Sequence, residues 1–122
     1  MIARLSSGQI ALLVAYALAL AGGQLLFKMA ATRGGGDGSF GERIAASLLN
    51  GYFAVAVILY AALTVLWVWI LSFTPLSRAY PFVALAFAVT PALGAMMFSE
   101  PLSVRLVIGI ALILAGLLFV AE

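Results

Sequence analysis

Four long runs of apolar residues dominate the sequence, and short polar segments separate them. A helix needs about 20 apolar residues to cross a bilayer core of ~30 Å, and each run is long enough. The pattern therefore predicts an all-α membrane protein in which residues 1–122 form a single domain of four transmembrane helices. The predicted spans lie at about 10–31, 51–73, 77–98 and 103–121.

The segments between the runs indicate how the helices are connected. In the long segment 32–50 three consecutive glycines predict a flexible loop. Residues 40–49 then resemble a short amphipathic helix, which either lies at the membrane interface or extends the second span. Tight turns at 74–76 and 99–102 make neighbouring helices antiparallel. Four spans place both termini on one side of the membrane. Three arginines lie on the side of the long loop and two on the side of the termini, so the excess that would favour a cytoplasmic loop is only one residue and the orientation stays open.

The composition supports a membrane protein and excludes several kinds of chemistry. Hydrophobic residues make up 66% of the chain and charged residues 8%, whereas soluble domains have about 25% charged residues. Without cysteine and histidine the chain has no disulfide framework, no thiolate metal site and no imidazole base. A net charge of +2 gives no indication of nucleic-acid binding. We therefore expect no enzymatic activity, no cofactor and no bound metal.

Two polar side chains interrupt the first predicted span. Gln24 and Lys28 are four residues apart and therefore share one face of the helix. Gly22 and Gly23 precede them and would let another helix backbone approach closely. Polar groups inside a membrane are costly unless they are paired, and they commonly mark functional sites. The alternative is that Lys28 only extends its ammonium group to the lipid head groups.

The order of the spans brings three charges to one mouth of the bundle. The first span ends on the same side as the third, so Lys28 should lie near Glu100, with Arg105 one turn into the fourth span. Two cations suit a phosphate, and the single acid suits a cationic group on the same ligand. The alternative for Glu100 is a charge at a helix end, close to Arg105.

Aromatic and glycine positions on the later spans give further candidates. Tyr60 and Trp67 are seven residues apart on one face of the second span, although most such aromatic stripes serve packing or interfacial anchoring. Tyr80 precedes a proline that can kink the third span and turn this tyrosine towards an interior cavity. Gly109 and Gly116 are also seven apart, and such a stripe allows close helix packing in a dimer unless these glycines only reflect the frequency of glycine in membrane helices.

Three segments resemble a known group of transporters. They are LAGGQLLFK at 20–28, PLSRAYP at 75–81 and SEPLS at 99–103. Together they resemble the drug/metabolite transporter superfamily, and within it the four-helix small multidrug resistance-like, or EamA-like, proteins. The likeness covers nearly the whole chain and is greatest to the subunits of the flippase for aminoarabinose-phosphoundecaprenol.

This resemblance implies a function and roles for the candidate residues. The implied cargo is a polyisoprenyl phosphate that carries a sugar, and the implied location is the bacterial cytoplasmic membrane. Lys28 and Arg105 would neutralise the phosphate, Gln24 and Tyr80 would hydrogen-bond its oxygens or the sugar, and Trp67 would offer a ring face. Because four helices form a poor alternating cavity, we expect a homodimer or a heterodimer with a similar four-helix subunit.

The chain differs from the small multidrug exporters at one position. Those exporters carry a glutamate in the middle of the first helix, and the comparable position in this chain is Leu20. A drug exporter is an alternative function, but the chain lacks the carboxylate that such exporters carry. A further alternative is an accessory membrane subunit that transports nothing itself.

Overall fold

The computed structural model describes residues 5–34 and 38–121, and these residues fold into helices joined by short connections. No strand occurs within these two ranges. The expected all-α class is therefore confirmed for the described residues. In chain order the elements are α1 (Ser7–Gly34), α2 (Phe40–Leu48), α3 (Gly51–Leu71), α4 (Leu76–Ala79), a 3-10 turn (Tyr80–Val83), α5 (Ala84–Phe98) and α6 (Val104–Ala121).

Three helical segments are long and apolar enough to cross a membrane. They are Ser7–Thr32, Gly51–Leu71 and Leu76–Phe98. Large apolar side chains on their outer surfaces, such as Ile58 and Val65, remain about 70% exposed, as is typical of helices that face lipid. The chain is thus a multi-pass membrane protein. The apolar helix α6 has 18 residues and is shorter than these three segments.

Helix α2 occupies much of the segment predicted as a flexible loop. Helix α1 extends to Gly34, and α2 begins where the hydroxyl of Ser39 accepts a hydrogen bond from the backbone N–H of Glu42. Asn50 then begins α3, because its side-chain oxygen accepts from the N–H of Phe53 at 3.0 Å. The amide of Asn50 also donates to the carbonyl of Ala30 at 2.9 Å, so one side chain joins the end of α1 to the start of α3.

The third span is interrupted where its first proline lies. Pro81 lacks a backbone donor, and the chain passes through the 3-10 turn between α4 and α5. A second proline, Pro91, lies inside α5. Helix α5 ends at Phe98 and is capped by Ser99, which adopts a left-handed conformation with φ 54° and turns the chain towards α6.

Helix α1 is the central element of the bundle and packs against both α3 and α5. Ala17, Ala21 and Ala56 are completely buried, since small side chains let the helix backbones approach each other. Larger residues fill the space towards the start of α1, where Leu13 and Ile70 are the largest fully buried side chains. Helix α6 packs mainly on α5 and lies at the edge.

Candidate functional site

A cavity of about 400 Å³ lies among α1, α3 and α5, nearer to the Lys28 end of the bundle than to the start of α1. Its wall includes Phe87, which is 64% exposed, so the cavity borders the outer surface of the bundle. Most of the lining is apolar, with three polar side chains among the residues. The lining residues are Leu20, Gln24, Tyr60, Val83, Ala86, Phe87, Thr90 and Pro91.

Gln24 and Tyr60 form a hydrogen-bonded pair in the cavity wall. The side-chain amide of Gln24 donates to the Tyr60 hydroxyl at 2.8 Å, and that hydroxyl donates to the backbone carbonyl of Leu20 at 3.0 Å. Gly23 makes this arrangement possible, because a Cβ at that position would collide with the Tyr60 ring. The sequence predicted both polar residues as site residues, but it did not indicate that they bind each other.

Thr90 is a cavity residue that the sequence analysis missed. Thr90 lines the cavity, and its hydroxyl oxygen is buried without a hydrogen-bond partner among the described residues. Buried polar groups are normally paired, so rotation of this side chain towards the cavity would give the hydroxyl a partner on a bound ligand. The sequence feature that could have indicated it is that Thr90 stands alone as a polar residue in an apolar run, directly before Pro91.

Lys28 and Glu100 form an ion pair at the mouth of the bundle. The distance between Lys28 Nζ and Glu100 Oε2 is 3.4 Å, and the two side chains are 47% and 46% exposed. The meeting of these two residues, predicted from the order of the spans, is confirmed. An ion pair this exposed contributes at most about 1 kcal/mol, so an incoming charged group can exchange with either partner.

Arg105 does not join this ion pair. No salt bridge links it to Glu42 or Glu100, which are the carboxylates in the described part of the chain. The meeting of Lys28 and Glu100 is thus shown, whereas the approach of Arg105 to them stays a prediction. Arg105 instead lines a second cavity of about 510 Å³ between α5 and α6, together with Ser103 and Gly109. Phe87 and Pro91 line both cavities, so α5 forms a wall between them.

Trp67 and Tyr80 lie nearer to the start of α1 than the first cavity does. Trp67 stacks on Tyr16 with ring centroids 4.9 Å apart, and the rings of Trp67 and Tyr80 meet edge to face with centroids 6.3 Å apart. Tyr80 is 61% exposed and does not line the cavity of Gln24 and Tyr60. The expectation that the kink turns Tyr80 towards an interior cavity is not met at this cavity, because Tyr80 in the 3-10 turn is largely exposed beside Trp67.

Comparison with known proteins identifies relatives along most of the chain. It is 31% identical over 108 residues to the "probable 4-amino-4-deoxy-L-arabinose-phosphoundecaprenol flippase subunit ArnE" of Enterobacter sp. (strain 638), covering 88% of this chain and 91% of the relative. The protein of the same name from Sodalis glossinidius is 30% identical over 96 residues, or 79% and 81% of the two chains. The chain belongs to this family of flippase subunits. No family model and no solved structure matches it.

This membership confirms the resemblance that the three sequence segments predicted. A third relative with the same name, from Hamiltonella defensa, is 28% identical over 71 residues, which cover 58% of this chain and 64% of the relative. All three relatives are named as subunits of a transporter and none as an enzyme. The chain is thus a membrane transport protein, in agreement with the expectation of a non-enzymatic role.

The glycine stripe of α6 is not used for packing within the described part of the chain. A Cβ added at Gly109 or Gly116 would meet no atom within 4 Å. Gly109 lines the second cavity and Gly116 is exposed. The two glycines therefore leave a flat surface on α6, and their predicted part in a dimer interface stays a prediction.

The arrangement can bind a charged head group without forming a covalent bond. Lys28 offers an ammonium group at the mouth, and one helical turn deeper Gln24 offers a side-chain oxygen that has no partner in the described chain. Thr90 adds a hydroxyl in the cavity wall. Within the described residues no group of three histidine, cysteine or acidic side chains could hold a metal ion. The groups at hand suit recognition of a phosphate and of hydroxyl groups.

Proposed function

We propose that the protein moves a sugar linked to a polyisoprenyl phosphate, of the undecaprenyl phosphate type, across the bacterial cytoplasmic membrane. The proposal includes α6 as a fourth transmembrane helix and a dimer as the active unit, with either a second copy or a similar four-helix subunit. The names of the relatives support this cargo, because all of them refer to an aminoarabinose-phosphoundecaprenol flippase.

The observation that carries the proposal is the Lys28–Glu100 ion pair at the mouth of the bundle. A lipid phosphate that binds Lys28 would replace the Glu100 carboxylate, and an amine on the sugar could then bind the carboxylate so released. Gln24 lies one helical turn, about 6 Å, deeper along α1. It could accept hydrogen bonds from the sugar hydroxyls while Tyr60 holds its amide in place.

The size and position of the first cavity agree with this cargo. Its volume of about 400 Å³ lies within the range of small-molecule sites. Because its wall reaches the outer surface at Phe87, a head group could enter sideways while the apolar tail stays in lipid. Only the charged and polar head needs shelter from the hydrocarbon core, since burying such groups in lipid is costly.

Arg105 and the glycine stripe support the dimer part of the proposal. Arg105 and Gly109 line the second cavity, whose wall on the α6 side is largely exposed. A second subunit against α6 would cover this wall and would enclose Arg105 beside the cavity, where its guanidinium could add a second cation for the phosphate.

A proton-driven exporter of cationic drugs is less well supported. Leu20 occupies the cavity wall at the position where those exporters carry a glutamate. Among the described residues α1 contains no acidic side chain. An exporter would therefore depend on Glu100, which is half exposed at the mouth and already bound to Lys28.

The test measures movement of two lipids in proteoliposomes. One lipid is a polyprenyl-phosphate 4-amino sugar and the other a polyprenyl-phosphate glucose, and a membrane-impermeant reagent reports how much of each reaches the far leaflet. Lys28→Ala should lower transport of both lipids to the level of empty vesicles, and Lys28→Arg should retain more activity. Glu100→Gln should impair transport of the amino sugar more than transport of the glucose lipid.

Arg43→Ala is the matched control, because Arg43 is an exposed cation on α2 without a described salt bridge. It should transport both lipids at the wild-type rate. If Lys28→Ala inserts normally and moves both lipids as fast as wild type, the lysine only extends to the head groups. The phosphate site would then be abandoned.

A further inference from the structure

The end of the bundle opposite Lys28 is built around the turn that joins α3 to α4. The side-chain amide of Gln9, near the start of α1, donates to the carbonyl of Phe73 in this turn at 3.5 Å. Leu5 is buried in the same cluster as Ala79 and Phe82. The start of α1, the turn and α4 thus pack together at this end.

Two buried polar atoms at this turn have no hydrogen-bond partner among the described residues. Thr74 is only 3% exposed, and its hydroxyl has no hydrogen bond among the described residues. Arg78 is partly buried, and its Nε atom is buried without a partner. Its guanidinium forms no salt bridge within residues 5–34 and 38–121. A partly buried cation is unfavourable unless an anion binds to it, and no residue of the described ranges supplies one.

The described carboxylates lie at the other end of the bundle. Glu100 is bound to Lys28, and Glu42 belongs to α2, which follows the same end of α1. Gln9 and Lys28 are 19 residues apart on α1, and at 1.5 Å per residue this separation is about 28 Å. Since a bilayer core is ~30 Å thick, the turn with Arg78 lies at the opposite mouth of the span.

We infer that Arg78 and Thr74 form a second anion site, which binds the phosphate of the transported lipid at the opposite face of the membrane. A guanidinium can donate two parallel hydrogen bonds to a phosphate, and the Thr74 hydroxyl can donate a third. The inference rests on the proposed function and adds to it a separate binding site at the far end. The cargo head would leave Lys28, pass the cavity of Gln24 and Thr90, and reach Arg78 beyond the Trp67 cluster.

The experiment uses photo-crosslinking of the full chain in phosphatidylcholine vesicles. A benzoylphenylalanine replaces either Leu76, which is exposed two residues before Arg78, or Ser99, which adjoins Glu100. The probe is a polyprenyl-phosphate sugar with an alkyne tag. Arg78→Gln should lower labelling from position 76 about tenfold, equivalent to the loss of one charge-assisted hydrogen bond, and should leave labelling from position 99 unchanged. Lys28→Ala should lower labelling from position 99 and leave labelling from position 76 unchanged.

Two further variants separate binding from a structural role. Arg78→Lys keeps the charge without the planar donor pair, so it should recover part of the labelling. Thr74→Val removes the unpaired hydroxyl at nearly constant volume, so it should lower labelling from position 76 while thermal stability is unchanged or raised. A purely structural Thr74 would give the higher stability with unchanged labelling, which would overturn its place in the site. Arg43→Gln is the control and should label as wild type does.

Competition distinguishes the possible anions. Labelling from position 76 should persist when inorganic phosphate is added and when phosphatidylglycerol is included in the vesicles. Loss of labelling with either competitor would overturn the assignment to the cargo, because the site would then bind a free ion or any anionic lipid. Unchanged labelling in Arg78→Gln would overturn the second site and leave the Lys28 site standing. Wild-type transport in Lys28→Ala would instead remove the proposed function.

Discussion

Gly23 and Gly22 are neighbours on α1, but the structure gives them different surroundings. A Cβ at Gly23 would collide with the Tyr60 ring, whereas a Cβ at Gly22 would meet nothing within 4 Å. The Tyr60 ring has little room to move. Its centroid lies 5.1 Å from that of the Phe27 ring, and its hydroxyl is hydrogen-bonded to the Leu20 carbonyl and the Gln24 amide. We therefore expect Gly23→Ala to separate α1 from α3 locally and to disturb the cavity wall.

The expected loss of stability follows from comparing Gly23→Ala with Gly22→Ala. Both gain about 0.5–1 kcal/mol from replacing a glycine inside a helix, so this contribution cancels in their difference. Overpacking a well-filled interior costs about 1–3 kcal/mol, and only Gly23→Ala incurs it. Gly23→Ala should therefore be about 1–3 kcal/mol less stable than Gly22→Ala, and it should also transport lipid more slowly, since Tyr60 can no longer hold Gln24.

The measurement is reversible unfolding in mixed detergent micelles, combined with the proteoliposome transport assay. A double variant provides an internal check, because Tyr60→Leu removes the ring that the new methyl group would meet. In that background Gly23→Ala and Gly22→Ala should differ in stability by less than about 0.5 kcal/mol. Equal stability of Gly22→Ala and Gly23→Ala in the wild-type background would refute the described packing of Tyr60 on α1.

The remaining predictions concern the mouth of the bundle and the outer face of α6. Gly94→Ala should displace the Glu100 carboxylate from Lys28, because an added Cβ would lie 2.6 Å from Oε1 of Glu100. Transport should fall as in Glu100→Gln, while the free energy of unfolding changes by less than about 1 kcal/mol. Full transport activity would contradict this role of the ion pair. Replacing Gly109 and Gly116 by leucine should weaken dimerisation, measured by cross-linking, while the monomer still inserts; unchanged cross-linking would show that the stripe lies outside the interface.

The positions of the spans and of the charged mouth could be predicted because they depend on order along the chain. Run length fixes where a helix can cross, and antiparallel connection fixes which ends meet, so Lys28 and Glu100 could be placed together without knowledge of side-chain packing. Pro81 likewise interrupts the third span, as a residue without a backbone donor should.

The rotation of each helix about its axis could not be predicted in the same way. Because α1, α3 and α5 are apolar on nearly every side, no polar face shows which residues point inward. The partnership of Gln24 with Tyr60, the buried hydroxyl of Thr90 and the outward position of Tyr80 all depend on that rotation. For the same reason Gly23 was expected to face a helix backbone, whereas it accommodates an aromatic ring.

The double role of Asn50 bears on how the chain is assembled during synthesis. Its side chain starts α3 and also binds Ala30, so α1 and α3 can pair as a hairpin once α3 has entered the membrane. The 27 residues from Ser72 to Phe98, which follow α3, take roughly 1–5 s to translate at 5–20 residues per second, whereas helices form within microseconds. The first two spans therefore have time to settle as a template before the third inserts beside them, and a substitution at Asn50 would act on the yield of inserted protein before it acted on transport.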